Sequence, residues 1–303
     1  MSWQACCMGA AFALAAFASP ALAEDAPDCR LTLYASLDML PGDPHRILVP
    51  VTLNGHNETL IVDTGTPFSM LTESAVNALG LPRQMLAIGA EYQMLTGAKV
   101  DDMAVVSSFQ LGDMKGKDFR FGVLPGGMLE DGLPGLLGAD IVRNYDVEFD
   151  FAANKMNLFS PHHCTGKVIY WTHQPYASVP FHFDRGHHIV IPITLDNVAL
   201  TAVVDTGAPT GVSMNIDTAR DLFGWRTDPP ELRHVAGPSS PQTYPFALLS
   251  LGGASVHNPS SNLRATSYGS KIDVLVGLEA LKAFHVYISY EDQKIYLTAR
   301  DAH

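Results

Sequence analysis

The chain carries two stretches whose apolar and polar positions follow the same course. "RILVPVTL" (residues 46–53) and "HIVIPITL" (188–195) are apolar, β-branched runs that predict strands. Each run ends on a two-residue turn signal, Asn54-Gly55 or Asp196-Asn197, which predicts a hairpin. The returning strand then runs apolar, Leu60-Ile61-Val62 or Ala202-Val203-Val204, straight into Asp-Thr-Gly. Short helices are predicted in "LTESAVNALG" and "IDTARDLFG", stopped by Gly80 and Gly224. Closing hairpins are predicted from "YDVEFDF" with "NKMNLF" and from "HVYISY" with "QKIYL", and small helices from "ADIVRNY" and "LEALKAF".

The two courses are one internal repeat. "YASLDMLPGDPHRILVPVTLNG" begins at Tyr34 and "YASVPFHFDRGHHIVIPITLDN" at Tyr176, an offset of 142 (176 − 34) that holds without a gap to Asp63 and Asp205. The register continues with small slips through Gly80/Gly224, Gly97/Gly237, Leu111-Gly112/Leu251-Gly252 and Gly138/Gly277. Two homologous, mostly β lobes are expected, a first at 24–160 and a second at 176–303, joined by a linker at 161–175.

Composition narrows the partners. The chain has 303 residues, room for about two domains, and 47% apolar residues, enough for a core. Its 19 basic and 31 acidic residues give a net charge of −12, which argues against nucleic acid or an anionic membrane surface as the main partner. Residues 1–23 read as a signal peptide: an apolar, small-residue run ends in Ala21-Leu22-Ala23, although no Lys or Arg precedes it. No later stretch is long and apolar enough to span a bilayer. The expected location is therefore periplasmic or secreted. Cleavage would leave two of the four cysteines, Cys29 and Cys164, which an oxidising compartment favours as a disulfide clamping the first half; two unpaired thiols are the alternative.

The chemistry lies in Asp63-Thr64-Gly65 and Asp205-Thr206-Gly207. Glycine allows a tight turn after each strand, and threonine offers a hydroxyl to tie one loop to its twin. If the lobes pack about a pseudo-twofold axis, the two aspartates meet on it. Two carboxylates in contact cannot both ionise cheaply, so they share a proton. One then takes a proton from water while the other gives one to a carbonyl oxygen, which is general acid–base hydrolysis without metal or cofactor.

With these residues the chain resembles the aspartic proteases of the pepsin and retropepsin type. That dyad is a standard illustration of carboxylate pairs sharing one proton. The family's hydrophobic-hydrophobic-Gly motif matches Leu136-Leu137-Gly138 and Leu275-Val276-Gly277, 75 and 72 residues after the aspartates (138 − 63; 277 − 205). The resemblance covers both lobes. It implies a bilobal, mostly β fold of two acid-protease barrels with short helices and a cleft between lobes. It further implies Asp63 and Asp205 as the catalytic dyad, Thr64 and Thr206 interlocking across the axis, and Gly65 and Gly207 offering N–H groups to the carboxylates. Gly138 and Gly277 would brace the loops. The implied flaps fall near Tyr92 and Gly97 in lobe one and near Gly237 in lobe two; an exposed strand tyrosine describes Tyr92 equally well. The substrate would be an extended polypeptide, the activity endopeptidase, and a monomer would hold the full dyad.

Thr66 follows the first Asp-Thr-Gly and Ala208 the second, each before a proline. Pepsin-like enzymes usually carry Ser or Thr at both positions and retropepsins Ala, so a fused, retropepsin-like chain is the expected form. A Thr66 hydroxyl donating to Asp63 would favour its ionised form and leave the proton on Asp205. Rival readings are an actin-like or sugar-kinase ATPase, which lacks support from any glycine-rich adenosine loop, and a peptide-binding pseudoprotease. Six histidines, His162, His163, His173, His182, His187 and His188, crowd the linker and the start of the second lobe. Their spacing matches no zinc pattern, so solvated loops are expected. Asn57-Glu58-Thr59 has the form of a glycosylation sequon but falls in a predicted strand.

Overall fold

In the computed structural model the described residues are 29–86, 92–93, 99–124, 126–127, 129, 132–184, 186–236, 240–265 and 272–301. The predicted leader at 1–23 lies outside them. The architecture is mostly β, in two lobes with a third sheet shared between them.

The first lobe is a seven-stranded sheet in the order Leu48–Leu53, His56–Val62, Gly135–Leu137, Met70–Thr72, Met114–Leu124, Asp102–Leu111 and Arg83–Met85. Leu48–Leu53 also pairs with Asp102–Leu111, so the sheet curls back on itself. The second lobe is a ten-stranded sheet that repeats the core arrangement. In each lobe the strand leading to the aspartate is central. His56–Val62 lies antiparallel to Leu48–Leu53 and parallel to Gly135–Leu137. Val198–Asp205 lies antiparallel to Ile189–Leu195 and parallel to Val274–Gly277. A central strand covered on both faces cannot alternate polar and apolar positions. Leu60, Ile61 and Val62 are accordingly all buried, as are Ala202, Val203 and Val204.

The local signals act as the sequence predicts. Asn54 and Gly55 (φ 49° and 85°) and Asp196 and Asn197 (φ 47° and 68°) all take the left-handed conformation that a two-residue hairpin turn requires. The helix Glu73–Ala78 is capped by the Thr72 hydroxyl, which accepts from the Ala75 amide at 3.2 Å. Ile216–Leu222 is capped by the Asn215 side chain, which accepts from the Asp217 and Thr218 amides. Gly80 and Gly224 end the two helices with φ of +58° and +67°.

The third sheet joins the halves of the chain. Its order is Leu33–Asp38, Lys155–Phe159, Asp146–Asp150, Phe284–Ser289, Lys294–Ala299 and Ala177–Pro180, with Val147 opposite Ile288 at the seam. Residues 161–175 hold no helix or strand and cross this seam above a buried polar layer. Asp146 Oδ2 lies 2.7 Å from His163 Nε2, and Glu148 Oε1 lies 2.8 Å from His285 Nε2. The Tyr170 hydroxyl donates to Glu148 at 2.8 Å, and the Trp171 ring stacks on His285 with centroids 4.3 Å apart.

Two of the six clustered histidines depart from the solvated-loop expectation. The His163 side chain is fully enclosed beside Asp146, and His188 is buried beside Asp184. A carboxylate partner is what makes burying each imidazole tolerable. His162, His173, His182 and His187 are exposed.

Cys29 and Cys164 form a disulfide across 135 residues, fastening the segment before the first strand to residues 161–175. Removing the link frees the unfolded chain far more than the folded one. Cys29→Ser with Cys164→Ser should therefore lower unfolding stability by about 2–4 kcal/mol, read as a shift of the denaturant midpoint and reproduced by reductant on the unaltered chain.

Candidate active site

The two Asp-Thr-Gly loops leave the ends of their strands and clasp each other. The Thr64 hydroxyl donates to the Val204 carbonyl at 2.9 Å and accepts from the Thr206 amide at 3.1 Å. The Thr206 hydroxyl donates to the Val62 carbonyl at 2.8 Å and accepts from the Thr64 amide at 3.0 Å. Each hydroxyl thus fills a donor and an acceptor on the opposite loop. Both threonines are buried, so no water stands ready to replace these bonds.

The clasp brings the carboxylates together. A Cβ placed on Gly65 would lie 2.4 Å from Asp205 Cγ, and one on Gly207 would lie 2.4 Å from Asp63 Cγ. Each glycine is therefore pressed against the other loop's carboxylate, and any side chain there would displace it. Gly65 N donates to Asp63 Oδ1 at 2.9 Å. Asp205 Oδ1 receives two amides, from Gly207 at 2.9 Å and Ala208 at 3.1 Å.

Both carboxyls are held above the ordinary carboxylate range, first by burial. Asp63 is raised well above it: the Asp205 charge and hydrogen bond add to burial, while the Gly65 amide and the Thr66 side chain oppose them. For Asp205 the opposition is stronger, from the Gly207 amide, the bond to Asp63, the Ala208 amide and the nearby His188. The direction is opposite to that expected from Thr66 and Ala208 alone. Thr66 does favour ionised Asp63, but the second loop supplies Asp205 with an extra amide, that of Ala208.

Behind each loop the glycine of the hydrophobic-hydrophobic-Gly motif fits against backbone. A Cβ on Gly138 would lie 2.4 Å from the Phe68 carbonyl carbon, and one on Gly277 would lie 2.2 Å from the Thr210 oxygen. Leu137 O accepts from Asp63 N at 3.0 Å, and Ala139 N donates to Thr66 O at 2.9 Å. In the second lobe Leu278 N donates to Ala208 O at 2.8 Å and Gly277 N to Gly211 O at 3.0 Å. The motif strand and the following turn therefore fix the loop from both sides.

Sequence reasoning missed an acid one position past each motif's next residue. Asp140 accepts from both the amide and the hydroxyl of Ser69 at 2.8 Å, and the Ser69 hydroxyl accepts from Gly138 N at 3.0 Å. Glu279 accepts from the Ser260 hydroxyl at 2.5 Å, and Ser260 in turn accepts from Gly211 N. The signal was present in the repeat, since Asp140 and Glu279 share the 139-residue offset of Gly138 and Gly277.

The dyad lies in a cleft of about 850 Å³ between the lobes. Ile61, Leu124, Leu129 and Leu136 give the first lobe's wall an apolar face, with Asp43, His45 and Arg46 beside it. The second lobe's wall is largely polar, with Thr210, Ser213, Ser260, Asn262, Arg264 and Glu279. Of the expected flap residues, Tyr92 lies on a two-residue strand, Tyr92–Gln93, antiparallel to Lys99–Val100. Gly97 and Gly237 lie outside the described residues. Arg233–His234 pairs antiparallel with Gln242–Thr243 on either side of the second position. Among the described residues no group of three or more His, Cys, Asp or Glu side chains is arranged to hold a metal.

Residues 49–141 match the family described as aspartyl protease. Among solved structures, basic 7S globulin from soybean is similar over 91% of this chain and 96% of its own, with a TM-score of 0.55 and 9% identity. The aspartic proteinase from Irpex lacteus is similar over 88% of this chain and 98% of its own, with a TM-score of 0.53 and 12% identity. No curated protein sequence matches the chain. The fold is that of the pepsin-like aspartic proteinases, and the family match to the first lobe supports aspartic-protease activity.

The clasp makes a stability prediction. Thr206→Val keeps the side-chain shape but strands the Val62 carbonyl and the Thr64 amide in a buried site. Unfolding stability should fall by about 2–4 kcal/mol, read by denaturant titration. A loss within the range of an ordinary surface substitution would refute the clasp.

Proposed function

We propose that the chain is an aspartic endopeptidase in which Asp63 and Asp205 hold and activate the attacking water. The observation that carries this reading is the mutual contact of Gly65 with the Asp205 carboxyl and of Gly207 with the Asp63 carboxyl. It juxtaposes two carboxylic groups, Asp205 buried and Asp63 half-buried, at the floor of an open cleft, an arrangement that is electrostatically unfavourable unless they share a proton.

The amide bonds assign the roles, since Asp205 Oδ1 accepts two and Asp63 Oδ1 one, which favours the ionised form of Asp205. Asp205 takes a proton from water as the oxygen adds to the substrate carbonyl carbon. Asp63 holds the shared proton and gives it to the carbonyl oxygen. A tetrahedral diol forms; in its collapse the proton gained by Asp205 passes to the departing amine, the C–N bond breaks, and one diol hydroxyl returns its proton to Asp63, which restores the starting state. No covalent enzyme intermediate is required. An extended peptide would run along the cleft, pairing through its backbone near the strand pairs Tyr92–Gln93 with Lys99–Val100 and Arg233–His234 with Gln242–Thr243.

Lobes at 24–160 and 176–303, a linker at 161–175, a cleaved leader at 1–23, export to the periplasm or medium, and a complete site in one monomer all belong to this reading. The disulfide supports the export.

Peptide-library cleavage across pH tests the proposal. Asp63→Asn and Asp205→Asn should each abolish turnover, and pepstatin should inhibit the unaltered chain. Pepstatin binding with no cleavage of any peptide would instead favour a pseudoprotease. The same variants carry a stability signature. A carboxyl whose folded-state pKa is raised favours the fold at low pH and loses that contribution as pH rises from the ordinary carboxylate value through the raised one. Asp63→Asn should therefore be more stable than the unaltered chain at neutral pH while being inactive.

Thr66→Ala removes a group that lowers the Asp63 pKa. With Asp63 as the protonated member, the basic limb of the pH–rate profile should move up and the acidic limb stay in place. Movement of the acidic limb alone would reverse the assigned roles.

A further inference from the structure

The repeat puts matched positions on the two walls of the cleft. Leu136 of the first lobe and Leu275 of the second both line it, each on the strand parallel to an aspartate strand. On the next strand out, Leu136 pairs with Met70 and Leu275 with Ser213. One strand further, Met70 pairs with Gly122 and Ser213 with Asn262. Two residues on, Thr72 pairs with Leu124 and Asn215 with Arg264. Strand register therefore makes Arg264 the counterpart of Leu124, and both line the cleft.

The matched positions carry opposite chemistry. Leu124 is buried in an apolar cluster with Ile61, Met70 and Leu136. In the second lobe Ser213 stands where the first has Met70, and Asn262 where it has Gly122, so the wall there is polar. Arg264 is exposed, and its Nε donates to Asn262 Oδ1 at 2.9 Å. That bond orients the guanidinium. Its two terminal nitrogens make no hydrogen bond or ion pair among the described residues. Two N–H groups side by side on a planar cation match the two oxygens of a carboxylate.

The cleft's other charged side chains have partners of their own. Arg46 Nε lies 3.2 Å from Asp43 Oδ2, so the first lobe's wall is balanced. Glu279 accepts from the Ser260 hydroxyl as Asp140 accepts from Ser69, which makes it part of the loop bracing. Ser260 stands four residues before Arg264 (264 − 260), about 13 Å of extended chain. Among the described residues Glu279 and Arg264 form no ion pair.

The two lobes are related across the dyad, so matched positions lie on either side of the bond that the dyad attacks. We propose that Arg264 is a specificity-determining residue that receives an acidic side chain of the substrate on one side of that bond, while the apolar slot at Leu124 receives an apolar side chain on the other. The inference rests on the dyad reading above and adds to it the substrate class: extended peptides with an apolar residue and an aspartate or glutamate flanking the cleaved bond.

Peptides that carry Leu on one side of the bond and Glu, Gln, Lys or Leu on the other, in both orders and at successive distances from it, test the proposal. The unaltered chain should prefer Glu to Gln by about fivefold in kcat/KM, in one order only, and added salt should weaken the preference. Arg264→Leu, which copies the first lobe, should erase the preference and favour Leu at that position. Arg264→Glu should turn it towards Lys, and Arg264→Lys should keep Glu ahead of Gln. If Arg264→Leu fails to fold, the other two variants decide the matter. Binding of the same peptides to Asp63→Asn, with and without Arg264→Leu, gives the Glu-to-Gln ratio without turnover. A ratio that Arg264 substitutions leave unchanged in both measurements would overturn the proposal. Binding that depends on Arg264 with no peptide cleaved by the unaltered chain would instead remove the endopeptidase reading and leave the recognition standing, so the two failures are distinguishable.

Discussion

Four buried hydrogen bonds made by Thr64 and Thr206 across the two loops, two to each other and two to the Val62 and Val204 carbonyls, hold the site together. They are reciprocal, so neither lobe can complete its own loop. Alone, each lobe would leave a strand-end carbonyl, a threonine amide and a hydroxyl without partners in a place closed to water. The clasp therefore does two things at once. It satisfies polar groups that a tight turn at the end of a core strand leaves exposed, and it forces two carboxyls into contact. The first is favourable and the second is not. A fold that tolerates the unfavourable contact at its centre must be rigid around it, and the motif strands Gly135–Leu137 and Val274–Gly277 supply that rigidity through parallel pairing with the aspartate strands.

The six-stranded sheet provides the other constraint between lobes. Its seam is antiparallel pairing of Asp146–Asp150 with Phe284–Ser289, a backbone connection that resists sliding. Asp146 and Glu148 lie at alternate positions of the first strand and so share one face. Both are buried, and both find imidazole partners, one from residues 161–175 and one from the second lobe. Removing either imidazole would leave a buried acid with only neutral donors, a stronger penalty than the pair's own net contribution. Such pairs fix register more than they add stability, which suits a joint that sets the geometry of a distant dyad.

Duplication made the backbone nearly symmetric, but the chemistry is not. The cleft wall is apolar on one side and polar on the other. Asp205 accepts two amides at Oδ1, while Asp63 accepts one amide and is opposed by its neighbour's charge. Symmetric loops would give the two carboxyls equal hydrogen bonds; the second lobe's extra amide, from Ala208, breaks that equality.

Much of this was legible in the chain itself. The strand–turn–strand runs, the two Asp-Thr-Gly loops, the glycines after the small helices and the hydrophobic-hydrophobic-Gly motifs are local patterns repeated at a nearly constant offset. Local patterns survive in sequence because backbone conformation and strand burial are decided by neighbouring residues. Asp140 and Glu279 were present in the same repeat but carry no local signature, since their partners Ser69 and Ser260 are 71 and 19 residues away. His163 reads as solvated for the same reason, since its carboxylate, Asp146, lies 17 residues away on a strand; for His188 the partner Asp184 stands in the same turn, a local signal that the solvated-loop reading passed over. The ordering of the two aspartates was decided only in three dimensions. Sequence shows a hydroxyl beside Asp63 and none beside Asp205. The pKa of a buried carboxyl depends on every dipole and charge within a few ångströms, and those are assembled from loop geometry and a neighbouring strand. The chain fixed which residues meet; the packing fixed how many amides each carboxyl receives.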